Sequence, residues 1–105
     1  MDGVHKIRLR GAWRIERRDD GSAVFERSFG SPRTLDAGET IWLVCDDVPG
    51  IGVVLVNGRM AGDAIGGAFA AELTGRLLPR NAVRFELTGV GEAELGEVRL
   101  EFRIA

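Results

Sequence analysis

The stretch Ile51-Gly52-Val53-Val54-Leu55-Val56-Asn57-Gly58 decides how the chain is read. On an extended strand Ile51, Val53 and Leu55 share one face, and Val54 and Val56 the other. Both faces are apolar, so the pattern predicts a strand buried on both sides. Asn57-Gly58 then predicts a two-residue hairpin, because a type I′ turn requires positive φ at both central positions. The rest of the chain reads as strands laid around this hairpin.

Upstream, Asp47-Val48-Pro49-Gly50 has the composition of a turn. Before it, Ile41, Leu43 and Cys45 alternate with Trp42 and Val44, which predicts a strand over residues 39–46. Downstream, the hairpin returns only through residues 59–61. Residues 62–67 are polar and Gly-rich, and residues 68–73 form a strand of small residues around Phe69. Thr74 can cap one helical turn that Pro79 ends, and Arg80-Asn81 reads as a turn. Val83, Phe85 and Leu87 alternate with Arg84, Glu86 and Thr88. Val98, Leu100, Phe102 and Ile104 alternate with Arg99, Glu101 and Arg103. One apolar and one wet face in each is the pattern of an antiparallel sheet. The loop between them, residues 89–96, carries Glu92 and Glu94.

Toward the N-terminus, residues 30–38 read as a loop and residues 23–29 as a strand with Phe25 and Phe29 on one face. Arg27 shares that face by parity. Facing inward it requires a carboxylate or several carbonyls; Asp46, Asp47 and Glu72 are the acidic candidates, and a bulge turning Arg27 outward is the alternative. Asp19-Asp20-Gly21-Ser22 is a turn cluster. Trp13 and Ile15 alternate with Arg14 and Glu16, either as a second strand or as the first continued past a bulge at Gly11. In the first strand, Val4, Lys6, Arg8 and Arg10 face away from Ile7 and Leu9. Seven or eight short strands with regular turns predict an all-β fold, an antiparallel β-sandwich or jelly roll, as a single domain over residues 1–105.

Composition bounds the function. A chain of 105 residues, 45% hydrophobic and 29% charged, suits one globular domain with a real core. The net charge of −2 gives no general reason to expect nucleic acid or an anionic membrane as partner. Cys45, the single cysteine, excludes an internal disulfide and a multi-thiolate metal site. The first residues carry no apolar core of a signal peptide. Apolar runs reach about six residues, against the roughly 20 that a membrane helix needs. The expectation is a cytoplasmic protein without a cofactor.

Several residues carry a family resemblance: residues 53–58 running into Asn-Gly, Gly62, Phe69, Thr74, and Asn81 opening the apolar strand to Leu87. Upstream, Gly11-Ala12-Trp13, Glu26-Arg27-Ser28-Phe29, Pro32 and Gly38-Glu39 follow in the same order. This pattern, over residues 10–104, resembles the sugar-binding, galactose-binding-like jelly-roll domain at the N-terminus of β-galactosidases and β-glucuronidases of glycoside hydrolase family two. The resemblance implies a non-catalytic accessory domain, since that family's catalytic carboxylates lie on a separate barrel domain that this chain lacks. The family's stretch of glycine and aromatic residues after the hairpin is reduced here to Asp63-Ala64-Ile65-Gly66-Gly67.

Candidate ligand-binding residues are Trp13, Arg27, Trp42 and Phe69. An indole face can stack on the C–H groups of a pyranose, although core packing is the favoured reading for both Trp13 and Trp42. Asn57 and Gly58 are structural turn residues. Asp46 and Asp47 are turn residues that could also contribute to an oxygen-ligand calcium site of the kind some galactose-binding-like folds carry; no other metal site is expected. Glu92 and Glu94 could form an acid/base pair only with a groove beside them. His5, the single histidine, reads as a surface residue, and the glycines around Asn57 precede no Lys-Ser/Thr helix and so form no phosphate loop. The sequence therefore predicts a non-enzymatic carbohydrate-binding-type module that binds weakly at a loop rim. The alternative is a structural or protein-interaction jelly roll without a sugar ligand, able to associate with its own copy. The first and last strands are expected to pair antiparallel through cross-strand ion pairs worth about 0.2–1 kcal/mol each.

Overall fold

The structure, a computed structural model, describes residues 5–104. They form seven strands: β1 (His5–Arg8), β2 (Arg14–Arg17), β3 (Ala23–Gly30), β4 (Glu39–Val56), β5 (Arg59–Glu72), β6 (Arg80–Thr88) and β7 (Val98–Ile104). All pairings are antiparallel, in the order β1-β7-β4-β6-β3-β2, with β5 along the remaining side of β4.

The β4–β5 hairpin is the frame. Along its N-terminal half β4 pairs with β7, from Glu39↔Ile104 to Cys45↔Val98. Along its C-terminal half the same side pairs with β6, from Ile51↔Thr88 to Val56↔Val83. The register breaks between Cys45, Val48 and Ile51, and there the ribbon bends. The sheet curls on itself as a half-barrel, one half β1-β7-β4-β5 and the other β5-β4-β6-β3-β2. The two halves share one core: Ile41, Leu43, Leu100 and Phe102 from the first, and Phe25, Phe29, Val54, Val56 and Phe85 from the second. Phe69 closes the bend from inside, so that a Cβ on Gly62 would lie 3.1 Å from its ring. This is the all-β antiparallel sandwich that the alternation predicts.

The hairpin turn has the predicted geometry, with φ of 55° at Asn57 and 77° at Gly58. Its strand is not buried on both sides, however. Val54 and Val56 are buried, but Ile51 is 61% exposed and Val53 and Leu55 are half-covered. Among the described residues no other strand packs on the outer face of this half-sheet.

Local punctuation misleads at four other places. Residues 47–50 are not a turn but the bulged middle of β4, with Val48 in the core. Pro49 is tolerated because the ladder is already broken there. The polar, Gly-rich residues 62–67 do not separate two strands but belong to one long β5, whose Gly66 and Gly67, both at φ 85°, follow the same bend. No helical turn forms over residues 74–78: the Thr74 hydroxyl accepts a hydrogen bond from the Ile41 amide at 3.0 Å, so it serves the neighbouring strand instead of capping. Arg80-Asn81 opens β6 rather than turning.

β2 is a separate strand, since it pairs with β3 whereas β1 pairs with β7. Val4, assigned to the first strand by alternation, lies outside the described residues. β1 and β7 pair antiparallel as expected, with Arg8 donating to Glu97 at 2.8 Å. Glu101 lies opposite Lys6 but is claimed by its own strand: Arg99 reaches it at 2.6 Å and Arg103 at 2.9 Å. Burial opposes ionisation of Glu101, yet the two guanidinium hydrogen bonds prevail and lower its pKa.

Glu39, at the start of β4, accepts two hydrogen bonds from Arg33, at 2.8 and 2.9 Å, and one from the Asp36 amide at 2.8 Å. Above all the Arg33 hydrogen bonds, then the amide, lower its pKa from 4.5 to about 2. A depressed carboxylate stabilises the fold above its unfolded pKa, and that contribution disappears as pH falls through the folded value. Stability measured by urea denaturation should therefore decline between about pH 4.5 and pH 2. A Glu39→Gln variant should show a shallower decline, and a parallel decline in both proteins would refute the assignment.

Candidate functional site

Between β1 and β2 the chain crosses from one half-sheet to the other. The crossing is sharp because Gly11 and Ala12 both take the left-handed region, at φ 62° and 57°. This conformation is uncommon for alanine and needs holding from outside. Arg27 supplies the hold: its Nε donates to the Gly11 carbonyl at 2.8 Å, and one terminal nitrogen to the Arg10 carbonyl at 3.0 Å. Its other terminal nitrogen donates to the Ser28 carbonyl at 3.1 Å. The expected carboxylate partner among Asp46, Asp47 and Glu72 is replaced by three carbonyls, because the crossover passes beside β3 just beyond Glu26, the last residue paired with β2.

The crossover delivers Trp13 to the edge of the core. Its indole N–H donates to the Leu9 carbonyl at 2.9 Å, and its ring meets Phe85 at a centroid distance of 6.1 Å. Opposite it runs the 89–97 loop, held by a second arginine: one Arg17 nitrogen donates to the carbonyls of Gly91 and Ala93, at 2.9 and 3.0 Å. Between the braced segments lies a cleft of about 370 Å³, lined by Leu9, Trp13, Ile15, Phe25, Leu95 and Val98, with Arg10, Glu94 and Glu97 as its charged groups. Glu97 is tied to Arg8 and Arg99. The cleft thus offers an apolar wall that includes an indole, together with carboxylates able to accept hydroxyl hydrogens.

The four residues selected from sequence do not converge. Trp13 lines the cleft and Arg27 holds its crossover wall. Trp42 lies on the outer face of the other half-sheet, where the Arg103 guanidinium sits 4.5 Å from its ring centroid. Phe69 is buried against Phe85, with centroids 6.3 Å apart. Of the turn acids, Asp46 pairs with Arg99 at 2.7 Å, while the Asp47 backbone carbonyl accepts the Gly96 amide at 2.8 Å. Among the described residues no group of three or more His, Cys, Asp or Glu side chains could hold a metal ion. Cys45 is buried and its thiol points at the Asp47 carbonyl; burial pushes its pKa up.

Reading from sequence missed Glu97, Leu95 and Arg17 as parts of this site. Arg17 belongs to a four-residue exposed strand that reads as a solvated edge. The brace predicts that Arg27→Met loses about 1.5–3 kcal/mol, the usual worth of hydrogen bonds to a charged group, in thermal or urea denaturation. An unchanged midpoint would mean that the crossover holds itself.

No family model and no curated protein matches this sequence. Solved structures do match its fold. The β-glucuronidase of Bifidobacterium dentium, solved with coumarin-3-O-glucuronide, aligns over 100% of this chain and 31% of its own, with a TM-score of 0.80 and 15% identity. The β-D-glucuronidase of Dictyoglomus thermophilum aligns over 96% of this chain and 28% of its own, with a TM-score of 0.75 and 14% identity. A putative β-galactosidase from Bacteroides fragilis aligns over 79% and 15%, with a TM-score of 0.57 and 24% identity. At these identities the likeness is one of fold: the chain has the architecture of one part of β-glucuronidase chains and spans 31% or less of the length of each of these proteins.

Proposed function

We propose that this chain is a non-catalytic accessory domain of the β-galactosidase/β-glucuronidase type, working in the cytoplasm, and that it binds carbohydrate weakly in the cleft between the β1–β2 crossover and the 89–97 loop. The observation that carries the reading is the cleft itself, where Trp13 lines an apolar wall and Glu94 and Glu97 contribute carboxylates. A pyranose has the matching chemistry, with apolar C–H faces and a rim of hydroxyls. The fold likeness to part of several glycosidases supports the accessory role. Among the described residues no helix is long and apolar enough to cross a membrane.

The test is titration calorimetry against neutral and acidic mono- and oligosaccharides. Wild type should bind at least one of them, and Trp13→Ala should weaken that binding about tenfold or more, with circular dichroism showing the fold intact. Trp13→Phe should retain most of the affinity. Absence of binding across the panel, or binding indifferent to Trp13→Ala, would overturn the reading. The non-catalytic part is tested separately. The protein should release no chromophore from aryl glycosides, and turnover that vanishes in a Glu92→Gln, Glu94→Gln variant would refute it.

A further inference from the structure

Among the described residues the sheet has three free margins, and they are unlike one another. β1 and β2 are four residues each, HKIR and RIER, short and charged. These are the usual devices by which an edge strand avoids pairing with another chain. β5 has neither. Its outer margin runs for fourteen residues, contains no proline or lysine, and has glycine or alanine at eight positions. Beside it the outer face is apolar: Ile65 is 79% exposed, Ile51 opposite it 61%, and Met60 51%.

The charges of β5 sit mainly at its ends, Arg59 at the start and Glu72 at the finish, with Asp63 between. The ion pairs among the described residues involve none of the three. Arg76 adds positive charge at the Arg59 end, where it donates to the Met60 carbonyl at 2.8 Å. A strand with one positive and one negative end is complementary to itself in the antiparallel direction only. Parallel pairing would oppose like charges.

We propose that the chain forms a two-fold symmetric dimer in which β5 pairs antiparallel with β5 of a second copy, extending both half-sheets across the interface. The axis passes between Ile65 and Gly66, at the edge of the bend, so each arm of β5 meets the opposite arm of its copy. Arg59 and Arg76 then face the copy's Glu72 at both ends, as an isologous interface requires. Asp63 meets the small residues near Ala68, and Ile65 of each copy is covered near the axis. Glycine and alanine along the margin allow the backbones to approach. The dimer does not depend on the cleft, which lies between other elements.

Sedimentation velocity over a concentration series tests the proposal. Wild type should sediment as a dimer, and Ile65→Lys, a change at an exposed position, as a monomer with an unchanged far-UV circular dichroism spectrum. Arg59→Glu and Glu72→Arg should each weaken the dimer about tenfold, and the double variant should restore it. A wild type that is monomeric at every concentration overturns the proposal and leaves the margin for a different polypeptide. A dimer indifferent to Ile65→Lys and to both charge reversals overturns it as well.

Discussion

A Gly52→Ala variant is expected to lose about 3 kcal/mol of stability or more, at the upper end of what overpacking costs. Gly52 lies in β4 between Leu87 of β6 and Ala64 of β5. A Cβ there would stand 1.9 Å from the Glu86 carbonyl oxygen, 2.9 Å from its carbon and 3.1 Å from the Leu87 Cα. All three are backbone atoms, so no side chain can rotate away; β4 and β6 must separate. That separation opens the core between Val54 and Phe85, two residues with no exposed surface. Gly38→Ala is the control. A Cβ there meets nothing within 4 Å, although its φ of 80° strains it, and its cost should be nearer about 1 kcal/mol. Urea denaturation of both variants compares them, and equal midpoints would show that β4 and β6 are not held at the observed spacing.

The second large effect is expected at Asn81, which is 4% exposed. Its side-chain oxygen accepts from the Leu78 amide at 2.8 Å and from the Asn57 side chain at 2.9 Å, and its nitrogen donates to the Leu78 carbonyl at 2.7 Å. Asn57 completes the clasp by accepting from the Ala82 amide at 2.9 Å. Asn81→Leu keeps the branched outline but strands the Leu78 amide and carbonyl, in part-buried hydrogen bonds, and half of a second asparagine. Unsatisfied buried groups cost about 1–3 kcal/mol each, and with partial rescue by water the total should be about 3 kcal/mol. Asn57→Ala should cost nearly as much, and the double variant should cost clearly less than the sum, because the two side chains share one hydrogen bond. Strict additivity would show that they act independently.

These two positions also show what could be read from sequence. Asn57-Gly58 announced its own turn, because the φ requirement is local. Its clasp with Asn81 is a contact across 24 positions and left no mark on either neighbourhood. Alternation located β3, β6 and β7, whose inner faces are apolar and whose outer faces are wet. It failed along β4 and β5. There Pro49, Gly50, Gly66 and Gly67 read as breaks, yet they bend a continuous ribbon at the corner of the sandwich. The candidate site was half legible. Trp13 stood out as an aromatic on a short strand, and Arg27 as a charge on an apolar face. The cleft itself is a meeting of the crossover and the 89–97 loop, segments about eighty residues apart, and no local pattern encodes that meeting.

The order of the strands also sets a timetable for the chain as it leaves the ribosome. The β4–β5 ribbon, β6, β3 and β2 can assemble once residue 88 has emerged. β1 cannot: among the described residues its only strand partner is β7, made after the other six, which inserts between β1 and β4. Until then Ile41, Leu43 and Phe69 line a half-built core with no β7 alongside, a state prone to the wrong partners. Residues 5–8 are made before every other described strand and dock after them. A pairing across nearly the whole length of the chain is also the kind that slows folding most.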